Sequence, residues 1–282
     1  MVFDIATFKI KIQRRSAFFN FPESFYSDYK AFMSIKQGQC NFVITIVPYD
    51  SFPLPSKGFA RRQNHFYYEN KKVFIIKTRR TIARINTVAK KMTLGFKNAC
   101  SEKTKNRALM AFLRLALSIC VVQKGGLPFH SSAIAFGERG IAFSGPSGAG
   151  KSTIADLLVS PWQLLNDDFN IILPYRESAY KIYSTPYTKR KTLKKCVNRG
   201  ANLRTIFFIE KSKTNTIENL PFKNKYIFTL AQTFMFPLSD FFGKKILDNA
   251  ERLCASVECK RLHFKNDETI RPFIFRHAGG LT

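Results

Sequence analysis

Short runs in which hydrophobic and polar positions alternate mark the first hundred residues, and a period of two predicts strands. The runs cover 40–47, 65–68, 72–77 and, more weakly, 81–88, with Pro53, Pro55, Ser56 and Gly58 punctuating them as turn residues. Residues 1–100 thus read as a small strand-rich N-terminal region, poor in carboxylates and without a catalytic constellation. Packing, dimerisation or substrate presentation are the roles open to it.

The period changes near residue 101. Leu109, Leu113, Leu117 and Cys120 fall on one stripe of a helix over 101–122, while Lys103, Lys105, Arg107 and Arg114 keep largely to other faces. This pattern predicts a core helix beneath the following sheet, in preference to a membrane-surface or partner helix. Gly125, Gly126 and Pro128 end it. The longest apolar stretch, 108–122, contains Arg114 and falls short of the roughly 20 residues that span a bilayer. The N-terminus carries Asp4 and has neither a basic start nor an apolar export core. A cytoplasmic protein without membrane association is expected.

Past Pro128 the two periods mix. Apolar strands over 132–136 and 140–144 flank Gly137-Glu-Arg-Gly140, the signature of a tight hairpin. Further strands are predicted at 169–173, 180–183, 204–209 and 259–264, and helices at 151–160 and 239–257. In the second helix Phe242, Ile246, Ala250, Leu253 and Val257 form the apolar stripe. Mixed elements in one unit predict an α/β domain over 101–282, with its core at 125–265.

Within that core Gly145-Pro-Ser-Gly-Ala-Gly-Lys-Ser152 satisfies the pattern G-x-x-x-x-G-K-[ST]. Average residue frequencies give roughly a one-in-a-hundred chance of an accidental match in a chain of this length. Its setting, between an apolar strand and the helix formers Ile154-Ala-Asp-Leu-Leu158, is the one phosphate binding needs. Small residues at Gly145, Ser147, Gly148, Ala149 and Gly150 let successive backbone N–H groups curl towards phosphate oxygens at the positive end of the helix. Lys151 would reach the β and γ phosphates, the Ser152 hydroxyl would ligate Mg²⁺, and Thr153 follows on the first turn.

The hairpin has a positional consequence. If 132–136 and 141–144 run antiparallel, residues 130 and 145 lie at the same end, which sets His130 beside the loop. Asp167-Asp168 lies one helix and one return strand after Lys151 and can come back to the same edge. One carboxylate can help hold Mg²⁺ and the other accept a proton from an attacking hydroxyl; the spacing leaves their division of labour open. Asp167 and Ser152 are the candidate metal ligands.

The series His130-Ser-Ser-Ala-Ile-Ala-Phe136, Gly145 to Thr153, Asn166-Asp-Asp168 and Tyr183-Ser-Thr-Pro-Tyr187 resembles the C-terminal catalytic domain of HPr kinase/phosphorylase and its relatives, kin in structure to ATP-dependent phosphoenolpyruvate carboxykinase. The resemblance covers about half the chain. It implies a mixed-sheet P-loop kinase core, with ATP and Mg²⁺ as cofactors and γ-phosphoryl transfer to a hydroxyl. By the same resemblance Lys151 and Ser152 serve nucleotide and metal, Asp167 and Asp168 serve as base and metal helper, and His130 interacts with the aspartates. It also sets Thr185-Pro186 near the site, so that Lys189, Arg190 or Lys191 could neutralise the moving phosphoryl group.

Two departures narrow the reading. Thr153 stands where the bifunctional enzymes usually carry Glu, and neither the second family signature nor the usual N-terminal domain is found. These point away from HPr as acceptor and from phosphorolysis. The chain is more similar to HPr-kinase-like proteins found beside peptide-modification systems, some of which phosphorylate a serine on a precursor peptide. The expected partners are therefore ATP and a serine-bearing peptide or protein, with a homo-oligomer left open because related enzymes form hexamers.

Charge adds one competing class. With 46 Lys and Arg against 19 Asp and Glu the net charge is +27, which favours phosphate-rich partners on encounter. Genome base composition accounts equally well for an excess of lysine together with 29 Phe. A nucleic-acid-binding or ATP-sensing module is the alternative from another class, but no RNA- or DNA-binding signature is present. A carboxykinase-like activity on a small acid lacks counterparts for its additional ligands. The six cysteines, Cys40, Cys100, Cys120, Cys196, Cys254 and Cys259, contain no CxxC pair, so free and mostly buried thiols are expected.

Overall fold

The computed structural model describes residues 1–15, 19–21, 25–26, 29–34, 38–53, 60–63, 66–70, 72–159, 162–188, 197–234 and 240–277. The chain forms two compact units, Met1–Cys120 and Val121–Thr282. The division falls inside a helix, 20 residues beyond the change of period at 100, because the helix up to Cys120 packs with the residues before it.

The first unit is a mixed nine-stranded sheet. Its strands are β1 (Val2–Ile5), β2 (Phe8–Arg14), β3 (Met33–Ser34), β4 (Phe42–Pro48), β5 (Ala60–Gln63), β6 (Phe66–Asn70), β7 (Val73–Lys77), β8 (Thr81–Asn86) and β9 (Lys91–Phe96), in the order β3-β1-β2-β4-β9-β8-β7-β6-β5. The pairs β2–β4 and β4–β9 are parallel and the others antiparallel. Five of these strands, β1, β2, β3, β5 and β9, lie outside the expected set. Strand β2 has the clean alternation Phe8, Ile10, Ile12, all buried. Strand β9 is masked in sequence by Gly95, where a Cβ would come within 2.9 Å of Ile82 Cγ2 and 3.0 Å of Phe52.

Helix α1 (Glu102–Gln123) buries its predicted stripe, Leu109, Leu113, Leu117 and Cys120. Lys105, expected on another face, is buried as well; its ammonium pairs with Glu102 at 2.8 Å and sits 5.9 Å from the centre of the Phe19 ring. Among the described residues α1 alone is long and apolar enough to cross a membrane by length and composition, and 61% of its most apolar window is buried, as in a core helix. Beyond the apolar stretch 108–122 the helix adds only polar residues, Glu102 to Arg107 and Gln123.

The second unit is α/β with a mixed sheet. Its strands are β10 (Leu127–Phe136), β11 (Arg139–Ser144), β12 (Gln163–Asn166), β13 (Phe169–Arg176), β14 (Ala179–Tyr183), β15 (Gly200–Lys211), β16 (Thr216–Asn219) and β17 (Glu258–Phe264). Its further helices are α2 (Lys151–Leu158), α3 (Phe222–Gln232), α4 (Asp240–Ser256) and α5 (Ile270–His277). Strands β10 and β11 form the predicted hairpin, with Phe136 opposite Arg139 and Gly137 at φ +54 in a two-residue turn. Beyond it β11 pairs parallel with β15, β15 antiparallel with β14, β14 with β13 and β13 with β10, so the path closes into a ring of five strands. Strand β15 is long enough to serve two neighbours along one edge: its start pairs with β14 and its remainder with β17. Ile134, Ile141, Phe143, Ile154, Phe207 and Leu262 build the core that seats α2 against the sheet.

Helices α3 and α5 and strand β16 were not foreseen, since their short segments carry no sustained apolar period. The described cysteines form no disulfide, with Cys100, Cys120, Cys254 and Cys259 buried and Cys40 half-buried; Cys196 lies outside the described residues. One buried polar contact fixes the start of β10. Asn249 on α4 donates from Nδ2 to Val122 O and Gly126 O, each at 3.0 Å. Replacing Asn249 by Ala removes both buried hydrogen bonds, leaving Val122 O with Gly125 N alone, and chemical denaturation is expected to show a loss of about 1–3 kcal/mol.

Candidate functional site

Strand β11 leads into the glycine-rich loop over 145–150, and α2 leaves it at Lys151. Gly148 and Gly150 take left-handed backbone, at φ +83 and +98, and a Cβ on Gly150 would meet Phe264 Cζ at 2.7 Å. Glycine is therefore required at 150 by both conformation and packing. The loop closes through Ala149 N donating to Pro146 O, and the helix opens with Ile154 N donating to Gly150 O. Ser147 and Gly148 are exposed at the tip, Ala149, Ser152 and Thr153 are half-buried, and Gly145 lies buried against Ile209. Lys151, itself buried, turns back over the loop and donates from Nζ to Gly145 O at 2.7 Å and Pro146 O at 3.0 Å. The first turn of α2 adds its backbone N–H groups and the positive end of its dipole.

The aspartates are built by a different device. Asn166, at the end of β12, accepts from the backbone N–H of Asp167 and Asp168 at Oδ1, at 2.6 and 3.2 Å. Its Nδ2 donates to Phe169 O, Thr185 O and Thr185 Oγ1 at 3.1, 2.8 and 2.9 Å. One fully buried amide thus folds the Asp-Asp turn and ties it to the Tyr183–Thr188 stretch. That stretch is held from its other side as well, where Ser184 Oγ donates to Val197 O and accepts from Arg199 N. Tyr183 lies across Gly200, where a Cβ would come within 2.5 Å of its ring; burial raises its phenol above the ordinary range, with the Tyr175 phenol adding to the effect.

Strand β10 brings the halves together. Its Ser131 pairs with Ser144, the last residue before the loop, and its His130 pairs with Phe169, the first after the aspartates. Ser144 Oγ donates to His130 O at 2.8 Å, and His130 Nε2 stands 3.3 Å from Asp168 Oδ1, within ion-pair distance. On the other edge Asn170 Nδ2 donates to Ser131 O and Oγ. Two strand spacings of about 4.8 Å set β11 and β13 roughly 10 Å apart. Asp167, 2% exposed, accepts a hydrogen bond from Thr188 Oγ1 at 2.6 Å.

The structure therefore gathers His130, Asp168 and the entrance of the loop at one level of β10, and links Asp167 to Thr188. Lys189, Arg190 and Lys191 lie outside the described residues. Sequence reasoning missed the parts played by Asn166, Thr188 and Ser144; an Asn before two aspartates is a legible turn signal, whereas the other two carry none. The donor set suits a hard divalent cation, since the Ser152 hydroxyl and the two carboxylates are oxygen ligands. Among the described residues no group of three or more His, Cys, Asp or Glu side chains could hold a metal by itself. Such a set fits magnesium bound through one or two carboxylates together with substrate phosphates.

A family model described as SynChlorMet cassette protein ScmC matches residues 98–253, more than half of the chain. No curated protein matches. Among solved structures, the Hpr(Ser) kinase/phosphatase from Coxiella burnetii is similar at 10% identity and a TM-score of 0.30, over 52% of this chain and 90% of that one. The role of Asn166 can be tested directly. Asn166→Ala is expected to lower stability by about 1–3 kcal/mol, and amide hydrogen exchange over 183–188 should quicken with it.

Proposed function

The chain belongs to the family of the SynChlorMet cassette protein ScmC, and from that premise we propose that it is an ATP- and Mg²⁺-dependent phosphotransferase acting on a hydroxyl, the serine of a peptide or protein. The observation that carries this reading is the pairing on β10, which sets the glycine loop and the His130–Asp168 pair side by side. The motif series, similar to that of HPr-kinase-like enzymes, supports it.

Each side chain then has a task. Backbone N–H groups over 145–150 and the start of α2 bind the phosphates. Lys151 exchanges its two loop carbonyls for phosphate oxygens, so a buried ammonium already held at the loop needs only to change partners. Ser152 and Asp168 would hold magnesium, with His130 fixing the orientation of Asp168. When bound, the ion neutralises charge on the β and γ oxygens. Asp167 accepts the proton of the attacking hydroxyl, as its contact with a threonine hydroxyl favours. Asp167 was the candidate metal ligand beside Ser152, with the division of labour between the aspartates left open; the Thr188 contact favours Asp167 as base and Asp168 as metal ligand.

Nucleotide titration and transfer from γ-labelled ATP to a pool of serine-containing synthetic peptides test the reading. Lys151→Ala should lose nucleotide binding. Asp167→Asn should keep nucleotide binding while transfer falls about 10²–10⁴-fold. Full transfer in both variants would overturn the site.

A further inference from the structure

We propose that Thr188 is an internal phosphoryl acceptor, a self-modification site that this chain phosphorylates before it serves another hydroxyl. The inference rests on the phosphotransferase reading and deepens it by naming a regulator of the same site.

Three hydroxyl side chains line the stretch over 183–188 besides the tyrosines. Ser184 and Thr185 are fully buried, and each spends its hydrogen on a backbone carbonyl, Val197 O and Phe169 O respectively. Thr188 differs. It is half-buried, and its hydroxyl is directed at Asp167 Oδ1 at 2.6 Å. An ionised carboxylate has no hydrogen to give, so the threonine is the donor. A hydroxyl donating to the carboxylate that serves as base is the geometry an attacking acceptor must reach.

The transfer balances with ATP as the only co-reactant. The Thr188 oxygen bonds to the γ-phosphorus while the bond from that phosphorus to the bridging oxygen of the leaving ADP breaks. The hydroxyl proton passes to the Asp167 carboxylate. The products are phosphothreonine and ADP.

The modification has a consequence for the site. A phosphate of about −1.5 to −2 charge cannot remain against the Asp167 carboxylate. Like-charge repulsion releases the threonine, and Asp167 becomes open to a hydroxyl from outside.

The test uses the full chain with Mg²⁺ and γ-labelled ATP and no other protein. One phosphate per chain is expected, with a rate constant independent of protein concentration. Fragmentation of the tryptic peptide over 182–189 should place it on Thr188. Label should vanish in Thr188→Val, persist at that position in Thr188→Ser, and form about 10²–10⁴-fold more slowly in Asp167→Asn. Label on Ser184, Thr185 or Tyr187 overturns the proposal. So does faster transfer to synthetic peptides by Thr188→Val with no phosphate on the parent chain, which would make Thr188 a simple cap. Nucleotide binding is read on the same samples. Binding and ATP consumption without label at Thr188 remove this proposal alone, whereas absence of nucleotide binding removes the phosphotransferase reading with it.

Discussion

Strand β10 has two edges, and what pairs with each decides where the chemistry can occur. On one edge it holds β11, whose last residue, Ser144, sits opposite Ser131 immediately before the glycine loop. On the other it holds β13, whose first residue, Phe169, sits opposite His130 immediately after the aspartates. A shift of register by one residue would turn every side chain of β10 to its other face. It would also separate His130 from Asp168. The hydrophobic pattern of β10 therefore fixes the position of a polar site as well as the core.

Around that strand the polar contacts do separate jobs. Asn166 and Ser144 act on backbone, shaping the Asp-Asp turn and joining β11 to β10. His130, Lys151 and Thr188 act on groups that would meet a substrate. The buried contacts of the first kind engage both polar atoms of the Asn166 carboxamide, which is why the carboxylates beside it can be held with little freedom. The loop needs no such scaffolding. Its glycines permit the turn, and Phe264 packed against Gly150 prevents another residue from taking its place.

Much of this was legible along the chain, for physical reasons that differ from one element to the next. The hairpin was readable because Gly137 marks the turn between two apolar runs, and helix α1 because Leu109, Leu113 and Leu117 repeat at helical spacing. Strand β2, Phe8-Lys-Ile-Lys-Ile, was equally readable and went unrecognised. Strand β9 was hidden by Gly95, whose place depends on Ile82 and Phe52 rather than on its neighbours in sequence. In the site, the residues of the glycine-rich loop follow a fixed local spacing. Thr188 does not, because it meets Asp167 through a fold that returns 21 residues later. The ring of strands was beyond reach for the same reason, since β15 chooses its partners by long-range pairing.

That ring also bears on the order in which the molecule can assemble. Arg139 meets Asn202 and Thr205 meets Glu258, so β15 gains β11 and β17 only after long loops have closed. Contacts so far apart in sequence cost chain entropy before they return any stabilisation, and they form slowly. The hairpin β10–β11 closes early and locally, yet the strand feeding the glycine loop acquires its second neighbour only when β15 arrives. During synthesis the loop therefore precedes its own support by some sixty residues, and the competent site is a product of the last stage of folding.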